Sequence, residues 1–287
     1  MNDLKIAFFG TPQIAVWVLE ELERVGIIPG LIVTNPDRPQ GRKMLLTPPP
    51  VKIWATEHSI PTIQPTTLNV GVRPLHSLTE VDWDLFVVVA YGRILKKEIL
   101  DIPKHGVLNI HPSLLPLLRG ASPIRSAILE DMRTTGVTVM KMDEEMDHGP
   151  IVAQKEVTIP EEKWPIRGPE LDERLAREGG MLLAETIPQW VSGEIDLREQ
   201  DHSKATYCKK ITKEMGEINL SDNPYKNLLK ILAFDGWPGT FFFTEKDGKK
   251  MRVKITDADL APDGSLQINK VIPEGKKEIR YSDFLTK

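Results

Sequence analysis

The most informative part of the sequence reads Gly106-Val107-Leu108-Asn109-Ile110-His111-Pro112-Ser113-Leu114-Leu115-Pro116. Its apolar beginning is typical of a strand, and alternate side chains of a strand share one face. Asn109 and His111 are therefore predicted to project together. Pro112 cannot donate to a ladder of hydrogen bonds, so we expect the strand to end there. Open α/β sheets bind their ligands at such carboxyl ends.

Strand-like and helix-like segments alternate on either side of this run, which predicts a parallel sheet with crossover helices. Residues 84–90 form a nearly continuous apolar stretch, as expected of a strand covered on both faces. The predicted strands are residues 4–9, 27–34, 84–90, 106–111, 135–142 and 151–158. The predicted helices are residues 13–25, 51–58, 122–130 and 169–191.

The composition changes after Gly193. We predict a first domain at residues 1–193, a polar linker at 194–205 and a smaller second domain at 206–287. The second domain should begin with a helix at 225–234 and continue with strands at 240–244, 251–256, 265–268 and 277–281. Asp-Gly pairs at 247–248 and 263–264 are turn signals, so a small antiparallel sheet or barrel is expected.

The composition is that of an ordinary globular protein, with 40% hydrophobic and 27% charged residues in 287. The N-terminal residues lack the basic start and apolar run of a signal peptide. No stretch approaches the roughly 20 apolar residues of a membrane span. We therefore expect a cytoplasmic protein with no membrane partner. The single cysteine, Cys208, cannot form an intrachain disulfide.

Two predicted loops are considered as binding sites for nucleotides or phosphates. Gly10-Thr11-Pro12 follows the first strand, but it lacks both the dinucleotide fingerprint and the phosphate-loop lysine, so nucleotide binding there is not expected. Residues 34–48 hold several prolines, a glycine and three cations, which predicts a long exposed loop without regular structure. This loop is either an ordinary solvated loop or a basic finger that contacts phosphates.

The residue types near the central strand suit acyl transfer. Asn109 and His111 can both stabilise an oxyanion, and Asp147 could fold back to orient the histidine. By spacing alone, the same pattern also fits a capped strand end without catalysis. The six histidines are scattered and none pairs with carboxylates at ligand spacing, so no metal is expected.

The run from Asn109 to Pro116, followed by Arg119-Gly120, resembles the signature of folate-dependent formyltransferases, and residues 143–151 resemble their second signature. The resemblance implies a Rossmann-like catalytic domain, 10-formyltetrahydrofolate as formyl donor, and Asn109, His111 and Asp147 as the catalytic trio. Residues 87–95 resemble the family's folate pocket. The implied donor-binding residues are Val89, Ala90, Tyr91, Gly92, Ile94, Ser113, Leu114, Leu115, Pro116 and Asp143.

Residues 8–12, 34–48 and 204–211 resemble the branch of this family that formylates methionyl-tRNA. That branch implies initiator methionyl-tRNA as partner, a monomer, and a second domain that is a shortened OB-type barrel with tRNA affinity. The implied tRNA-binding residues are Arg38, Arg42, Lys43, Lys209 and Lys210. Two alternatives are a sugar-nucleotide N-formyltransferase with the same donor, and a folate- or RNA-binding protein without catalysis.

The chain departs from the pattern of the branch at three places. Leu117-Leu118 stand where a basic-aromatic pair is usual, and His148 replaces a small hydroxyl residue beside Asp147. The second domain is also short, and middle strands of the barrel are expected to be missing. The first two changes are expected to adjust the site, and the third to weaken nonspecific tRNA affinity.

Overall fold

The computed structural model describes residues 4–41, 43–246 and 248–286. The chain divides into two compact units, which do not follow the predicted domain bounds residue by residue. Unit 1 comprises Met1–Arg119, Gly136–Val157 and Glu173–Tyr207. Unit 2 comprises Gly120–Thr135, Thr158–Asp172 and Cys208–Lys287. The bounds of the functional domains stay a prediction.

The strands and helices are numbered in chain order. The strands are β1 Ile6–Gly10, β2 Leu31–Val33, β3 Arg38–Gln40, β4 Leu45–Thr47, β5 Thr62–Ile63, β6 Leu85–Val89, β7 Val107–His111, β8 Arg119–Gly120, β9 Thr134–Lys141, β10 Ile151–Thr158, β11 Tyr207–Cys208, β12 Thr240–Lys246, β13 Lys249–Leu260, β14 Leu266–Pro273 and β15 Ile279–Arg280. The α-helices are α1 Gln13–Arg24, α2 Pro50–Glu57, α3 Lys97–Leu100, α4 Pro123–Leu129, α5 Gly168–Ser192, α6 Pro224–Ala233 and α7 Tyr281–Leu285.

A seven-stranded sheet has the order β10-β9-β7-β6-β1-β2-β5. The pairs of β1 with β2 and β6, of β2 with β5, and of β6 with β7 are parallel, whereas β7 and β9 are antiparallel. The predicted Rossmann-like α/β fold with a mostly parallel sheet is confirmed. The parallel strands end at one edge, which brings the carboxyl ends of β1, β6 and β7 together.

Apolar residues cover both faces of this sheet. Phe8 on β1 and Val87 on β6 belong to one buried cluster, which the helices α1, α2 and α5 complete. Phe9 and Phe86, which are the sequence neighbours of Phe8 and Val87 on the two strands, belong to a second cluster on the opposite face. All five residues of β6 are buried, as expected of a strand inside a parallel sheet. The central strands are thus packed between apolar residues on both faces.

The second strand is shorter than the predicted span of 27–34. β2 contains only Leu31–Val33, because Pro29 has no backbone N–H to pair and Gly30 lacks a side chain that favours a strand. The predicted strand at 277–281 is likewise reduced to two residues, and the helix α7 begins at Tyr281. The helix α3 and the pair β8–β11 were not predicted from the sequence.

Residues 38–40 and 45–47 form strands, so the predicted loop without regular structure is wrong. β3 and β4 pair as an antiparallel ribbon, with Arg38 opposite Thr47 and Gln40 opposite Leu45. A two-stranded ribbon consists only of edges, and Pro39 is tolerated there because its missing N–H breaks no central ladder. The expected exposure is correct, since every residue of β3 is exposed.

Unit 2 contains a four-stranded antiparallel sheet of order β12-β13-β14-β15. The helix α6 packs its apolar side on this sheet, with Leu228 and Leu232 in the same buried cluster as Phe242 and Val253. The helix α4, from the predicted first domain, contacts α6 within the same unit. The antiparallel sheet is confirmed, and its closure into an OB-type barrel stays a prediction.

The predicted linker at 194–205 is ordered and contacts the main fold. Arg198 exchanges two backbone hydrogen bonds with Ile151, and His202–Lys204 form a short 3₁₀ turn capped by Asp201. Gln200 is only 4% exposed. In the described part of the chain, no helix combines the length and apolar composition needed to span a bilayer.

Candidate active site

The strand β7 delivers two polar side chains to the carboxyl edge of the sheet. Asn109 lies opposite Val88 of β6 and Met140 of β9, and His111 lies opposite Thr138 of β9. Asn109 is half-buried, whereas His111 is only 4% exposed. The period-2 geometry of a strand puts both on one face, as predicted from the sequence.

Both ring nitrogens of His111 have oxygen neighbours. Nε2 lies 2.9 Å from the carbonyl oxygen of Leu118, and a carbonyl can only accept, so Nε2 carries a proton and donates. Nδ1 lies 3.5 Å from Oδ1 of Asp147, which is longer than an ordinary hydrogen bond. The short bond that selects the tautomer is therefore made by the backbone of Leu118. Nδ1 is the ring nitrogen that faces the carboxylate.

Strained backbone occurs after β6, after β7 and before β10. Ala90, Leu118 and Asp147 adopt the left-handed region, with φ of 46°, 55° and 52°. A non-glycine residue in this region costs about 1–3 kcal/mol and persists only where surrounding contacts determine it. Two of the three supply the oxygen neighbours of His111, so the chain holds both partners in place against local strain.

A buried hydrogen-bond network supports the loop of Asp147. Gln200 donates from Nε2 to the carbonyl oxygens of Asp147, at 3.0 Å, and Gly149, at 2.7 Å. Its Oε1 accepts from Nε and Nη2 of Arg119, at 3.1 and 2.6 Å. Arg119 is only 2% exposed. Sequence reasoning missed Gln200, because no motif or periodicity marks a single glutamine inside a polar segment.

His148 takes part in a second set of contacts beside Asp147. Its Nδ1 lies 2.8 Å from Oδ2 of Asp143, and its ring stacks on His202 with centroids 4.2 Å apart. Asp143 also accepts from the backbone N–H of Glu145. His148, which departs from the family pattern, thus contacts the carboxylate of Asp143. Asp143 is one of the residues predicted to bind the donor.

The predicted donor-binding residues after β6 divide into buried and exposed positions. Val89 and Tyr91 are core residues, 2% and 1% exposed, and burial raises the pKa of the Tyr91 phenol. Asn35 donates to the backbone carbonyl oxygen of Tyr91 at 2.8 Å. Ala90 and Gly92 are exposed, and the side chain of Ile94 is 73% exposed. The accessible surface of this segment therefore includes Ala90, Gly92 and the apolar side chain of Ile94.

The remaining predicted donor-binding residues lie after β7. Ser113 and Leu115 are buried, whereas Leu114 and Pro116 are half-buried. Thr138 donates to the carbonyl oxygen of Ser113 at 2.7 Å and accepts from the backbone N–H of Leu115 at 3.2 Å. These bonds attach the segment to β9, so its position relative to His111 is fixed.

The predicted tRNA-binding cations are exposed where the structure describes them. Arg38 begins the exposed ribbon of unit 1, and Lys43 lies in its turn. Lys209 and Lys210 are exposed in unit 2. Arg42 lies outside the described residues. Among the described side chains, no group of three or more His, Cys, Asp or Glu residues forms a candidate metal site.

Comparison with known proteins identifies the class of protein to which the chain belongs. The family described as Formyl transferase matches residues 4–187, so the class is a formyl transferase. A methionyl-tRNA formyltransferase from Chloroflexus aggregans (strain MD-66 / DSM 9485) is 43% identical over 264 residues, which cover 90% of this chain and 84% of the relative. The chain belongs to the formyl transferase family and, within it, to the methionyl-tRNA formyltransferases.

Solved structures share the fold at low sequence identity. A methionyl-tRNA formyltransferase from Clostridium thermocellum superposes with a TM-score of 0.59 at 17% identity, covering 96% of this chain and 99% of that chain. An N-formyltransferase from Helicobacter canadensis, in complex with folinic acid and dTDP-3-aminofucose, superposes with a TM-score of 0.66 at 19% identity, covering 90% and 88%. These similarities support the fold and do not separate the two acceptor classes.

Proposed function

We propose that the protein transfers the formyl group of 10-formyltetrahydrofolate to the α-amine of methionine esterified to initiator tRNA, in the cytoplasm. The acceptor is the one in the name of the relative that is 43% identical. Family members bind folate-derived molecules, as the folinic acid in the H. canadensis structure illustrates. In this proposal the protein acts as a monomer and needs no metal.

One geometric observation carries the proposal. At the carboxyl end of β7, His111 is held by the Leu118 carbonyl on one side and faces Asp147 with Nδ1 on the other. Asn109 projects from the same face of the strand. A fixed imidazole, an amide and a carboxylate at a strand end are the groups that acyl transfer requires.

The acceptor amine needs little activation. A free α-amino group has a pKa of about 7.7–8.0, and the electron-withdrawing ester lowers it further, so a useful fraction is neutral near pH 7. The lone pair of this amine forms the new C–N bond to the formyl carbon. Negative charge then develops on the formyl oxygen, and stabilising that charge is the main task of the site.

Each member of the trio has a role in this step. Asn109 donates its side-chain amide to the developing oxyanion. The Nε2–H of His111 is taken by Leu118, so His111 donates from Nδ1 as the imidazolium, which carries a second proton on the side that faces Asp147. Losing one such donor costs about 2.7–4 kcal/mol of transition-state stabilisation. Asp147 receives the proton that the amine loses, directly or through water. That proton passes to the folate nitrogen as its bond to the formyl carbon breaks.

The donor fits the segment after β6. Exposed backbone at Ala90 and Gly92 can hydrogen-bond a pterin edge, and Gly92, at φ of 75°, leaves space for a ring. Ile94 supplies an apolar surface. Val89, Tyr91, Ser113 and Leu115 are buried, so they shape this pocket from behind, while Leu114, Pro116 and Asp143 border it.

Two cationic surfaces fit the tRNA acceptor. The ribbon of β3 and β4 presents Arg38 and Lys43, and Arg42 belongs to the same segment. In unit 2, Lys209 and Lys210 precede the sheet that we interpret as a shortened OB-type barrel. Such cations bind phosphates without reading sequence, so they position the acceptor end rather than identify it.

The test is formyl transfer from 10-formyltetrahydrofolate to charged initiator tRNA, measured beside elongator methionyl-tRNA and an amino-sugar nucleotide. We expect product on the initiator alone. Formylation of the amino-sugar nucleotide would replace the tRNA acceptor by the alternative sugar class, and formylation of none of the three would contradict the proposal.

A further inference from the structure

The segment from Gln200 to Thr206 contacts both residues whose oxygen atoms face the ring nitrogens of His111. Gln200 binds the backbone of Asp147, the neighbour of Nδ1. Thr206 binds the backbone of Leu118, the neighbour of Nε2. All five residues belong to unit 1. Most of this segment was predicted to be part of a polar linker. Its contacts instead connect it to the surroundings of His111.

The contacts of Gln200 are directional. Its amide nitrogen has two hydrogens, and both are used, one on the carbonyl of Asp147 and one on that of Gly149. Its amide oxygen accepts twice from the buried guanidinium of Arg119. The side chain cannot flip, since flipping would place its oxygen against two carbonyls and its nitrogen against a cation. Gln200 therefore fixes the backbone on both sides of His148.

Thr206 makes the corresponding contacts with the turn of Leu118. Its Oγ1 accepts from the backbone N–H of Leu118 at 2.8 Å, and its carbonyl accepts from the N–H of Arg119 at 2.9 Å. Its own N–H donates to the carbonyl of Pro116 at 3.2 Å. Three bonds thus hold a turn whose Leu118 has a strained φ of 55°.

We propose that Gln200 and Thr206 are positioning residues that set Asp147 and Leu118 against the two nitrogens of His111. This inference rests on the proposed function, because it assumes that His111 and Asp147 act in formyl transfer. Leu118 and Asp147 both occupy left-handed backbone that relaxes unless it is held. A displacement of about 1 Å at a catalytic group can cost on the order of 100-fold in rate.

The main test is the variant Gln200→Glu. A carboxylate keeps the partner that Arg119 needs but cannot donate to the carbonyls of Asp147 and Gly149. We expect kcat to fall about 10- to 100-fold, while KM for methionyl-tRNA and for 10-formyltetrahydrofolate changes less than about twofold. An unchanged kcat would overturn the proposal, and so would a loss confined to KM.

A double-mutant cycle shows whether the effect passes through Asp147. In the Asp147→Asn background, measured by single turnover, Gln200→Glu should lower the rate by less than about threefold, because the group that it positions is already impaired. Asn227→Ala is the matched control: Asn227 is a buried amide of unit 2 that donates to the carbonyl of Asn219. Its effect should be the same in both backgrounds.

Thr206→Val provides a second variant of nearly equal size that removes only the acceptor for Leu118. We expect a kcat loss of about 3- to 10-fold with unchanged KM, and Gln200→Met serves if the glutamate variant does not fold. Absence of formyl transfer to initiator tRNA by the unaltered protein would refute the proposed function itself, and full activity of Asp147→Asn would refute the catalytic role of Asp147 on which the positioning role depends. Full additivity of Gln200→Glu with Asp147→Asn would refute only the positioning role.

Discussion

Nε2 of His111 donates to the backbone carbonyl of Leu118 across 2.9 Å. Because the acceptor is a main-chain group, no side-chain substitution at Leu118 removes it directly. The tautomer of His111 is therefore set by the path of the turn, and Asp147 is left to act on Nδ1. Leu118 therefore holds the imidazole ring in place, and Asp147 is the group that can exchange a proton.

His111→Ala should lower kcat at least about 100-fold, because one oxyanion donor of this kind contributes about 2.7–4 kcal/mol. Asp147→Ala should have an effect of similar size. Steady-state and single-turnover formylation of initiator tRNA measure both losses, and circular dichroism confirms the fold. His76→Ala is the matched control, because the His76 side chain is 51% exposed. Near-full activity of a folded His111→Ala protein would contradict the mechanism.

Gly149→Ala should destabilise the protein and slow the reaction. A Cβ at this position would overlap the carbonyl oxygen of Lys141, so the loop that carries Asp147 and Gly149 must shift, and the hydrogen bonds from Gln200 are disturbed. Overpacking of this kind costs about 1–3 kcal/mol. Thermal unfolding and kcat are the measurements.

Gly30→Ala is the control for that glycine. Its nearest neighbour beyond the adjacent residues, a ring carbon of Trp83, lies 3.8 Å from the added Cβ, which is an ordinary contact. We expect a change within about 0.5 kcal/mol and full activity. Equal effects of the two substitutions would show that the crowding at Gly149 is not the cause.

The sequence predicted those parts of the site that depend on local periodicity. Asn109 and His111 share a face because a strand alternates, and Pro112 follows the end of β7 as expected. The supporting contacts could not be predicted in this way. Gln200 lies 53 residues from Asp147 and 81 from Arg119, and bonds between irregular segments leave no periodic signal.

The difference between local signals and long-range contacts also explains which elements of the fold were wrongly predicted from the sequence. The ribbon at 38–47 was missed because prolines argue against strands, yet an isolated two-stranded ribbon has only edges and tolerates them. The strand β2 was predicted too long because apolar residues at 27 and 28 precede it. Tertiary pairing with β1 begins only at Leu31. Local composition indicated the element, and long-range pairing set its bounds.

The pKa of Asp37 should lie below 3.8 in the native protein. Gln64 donates to this carboxylate at 2.7 Å, and Lys52 at 2.9 Å, and these contacts lower the pKa. Since the folded-state pKa is depressed, the stabilising contribution is present above pH 3.8 and disappears as the pH falls through the lower native value. Asp37 directly precedes β3, so the base of the ribbon should persist at pH 4.

Carboxyl-carbon NMR titration measures this pKa. Gln64→Leu should raise it towards 3.8, since the hydrogen bond from Gln64 is the largest cause of the shift. Gln189→Leu is the control, because Gln189 donates only to Glu185 within its own helix. A native pKa of 3.8 or above for Asp37 would contradict the expectation.

The cations of the ribbon segment should act on tRNA and not on folate. Arg42→Ala is expected to raise KM for initiator tRNA and leave KM for 10-formyltetrahydrofolate unchanged, and Arg38→Ala and Lys43→Ala should have smaller effects of the same kind. Each phosphate contact removed should lower the slope of log affinity against log salt by about 1.

Lys104→Ala is the control, because this exposed lysine precedes β7 at the opposite end of the strand. If Arg42→Ala weakened folate binding and left the salt slope unchanged, the cations would serve the donor rather than the acceptor.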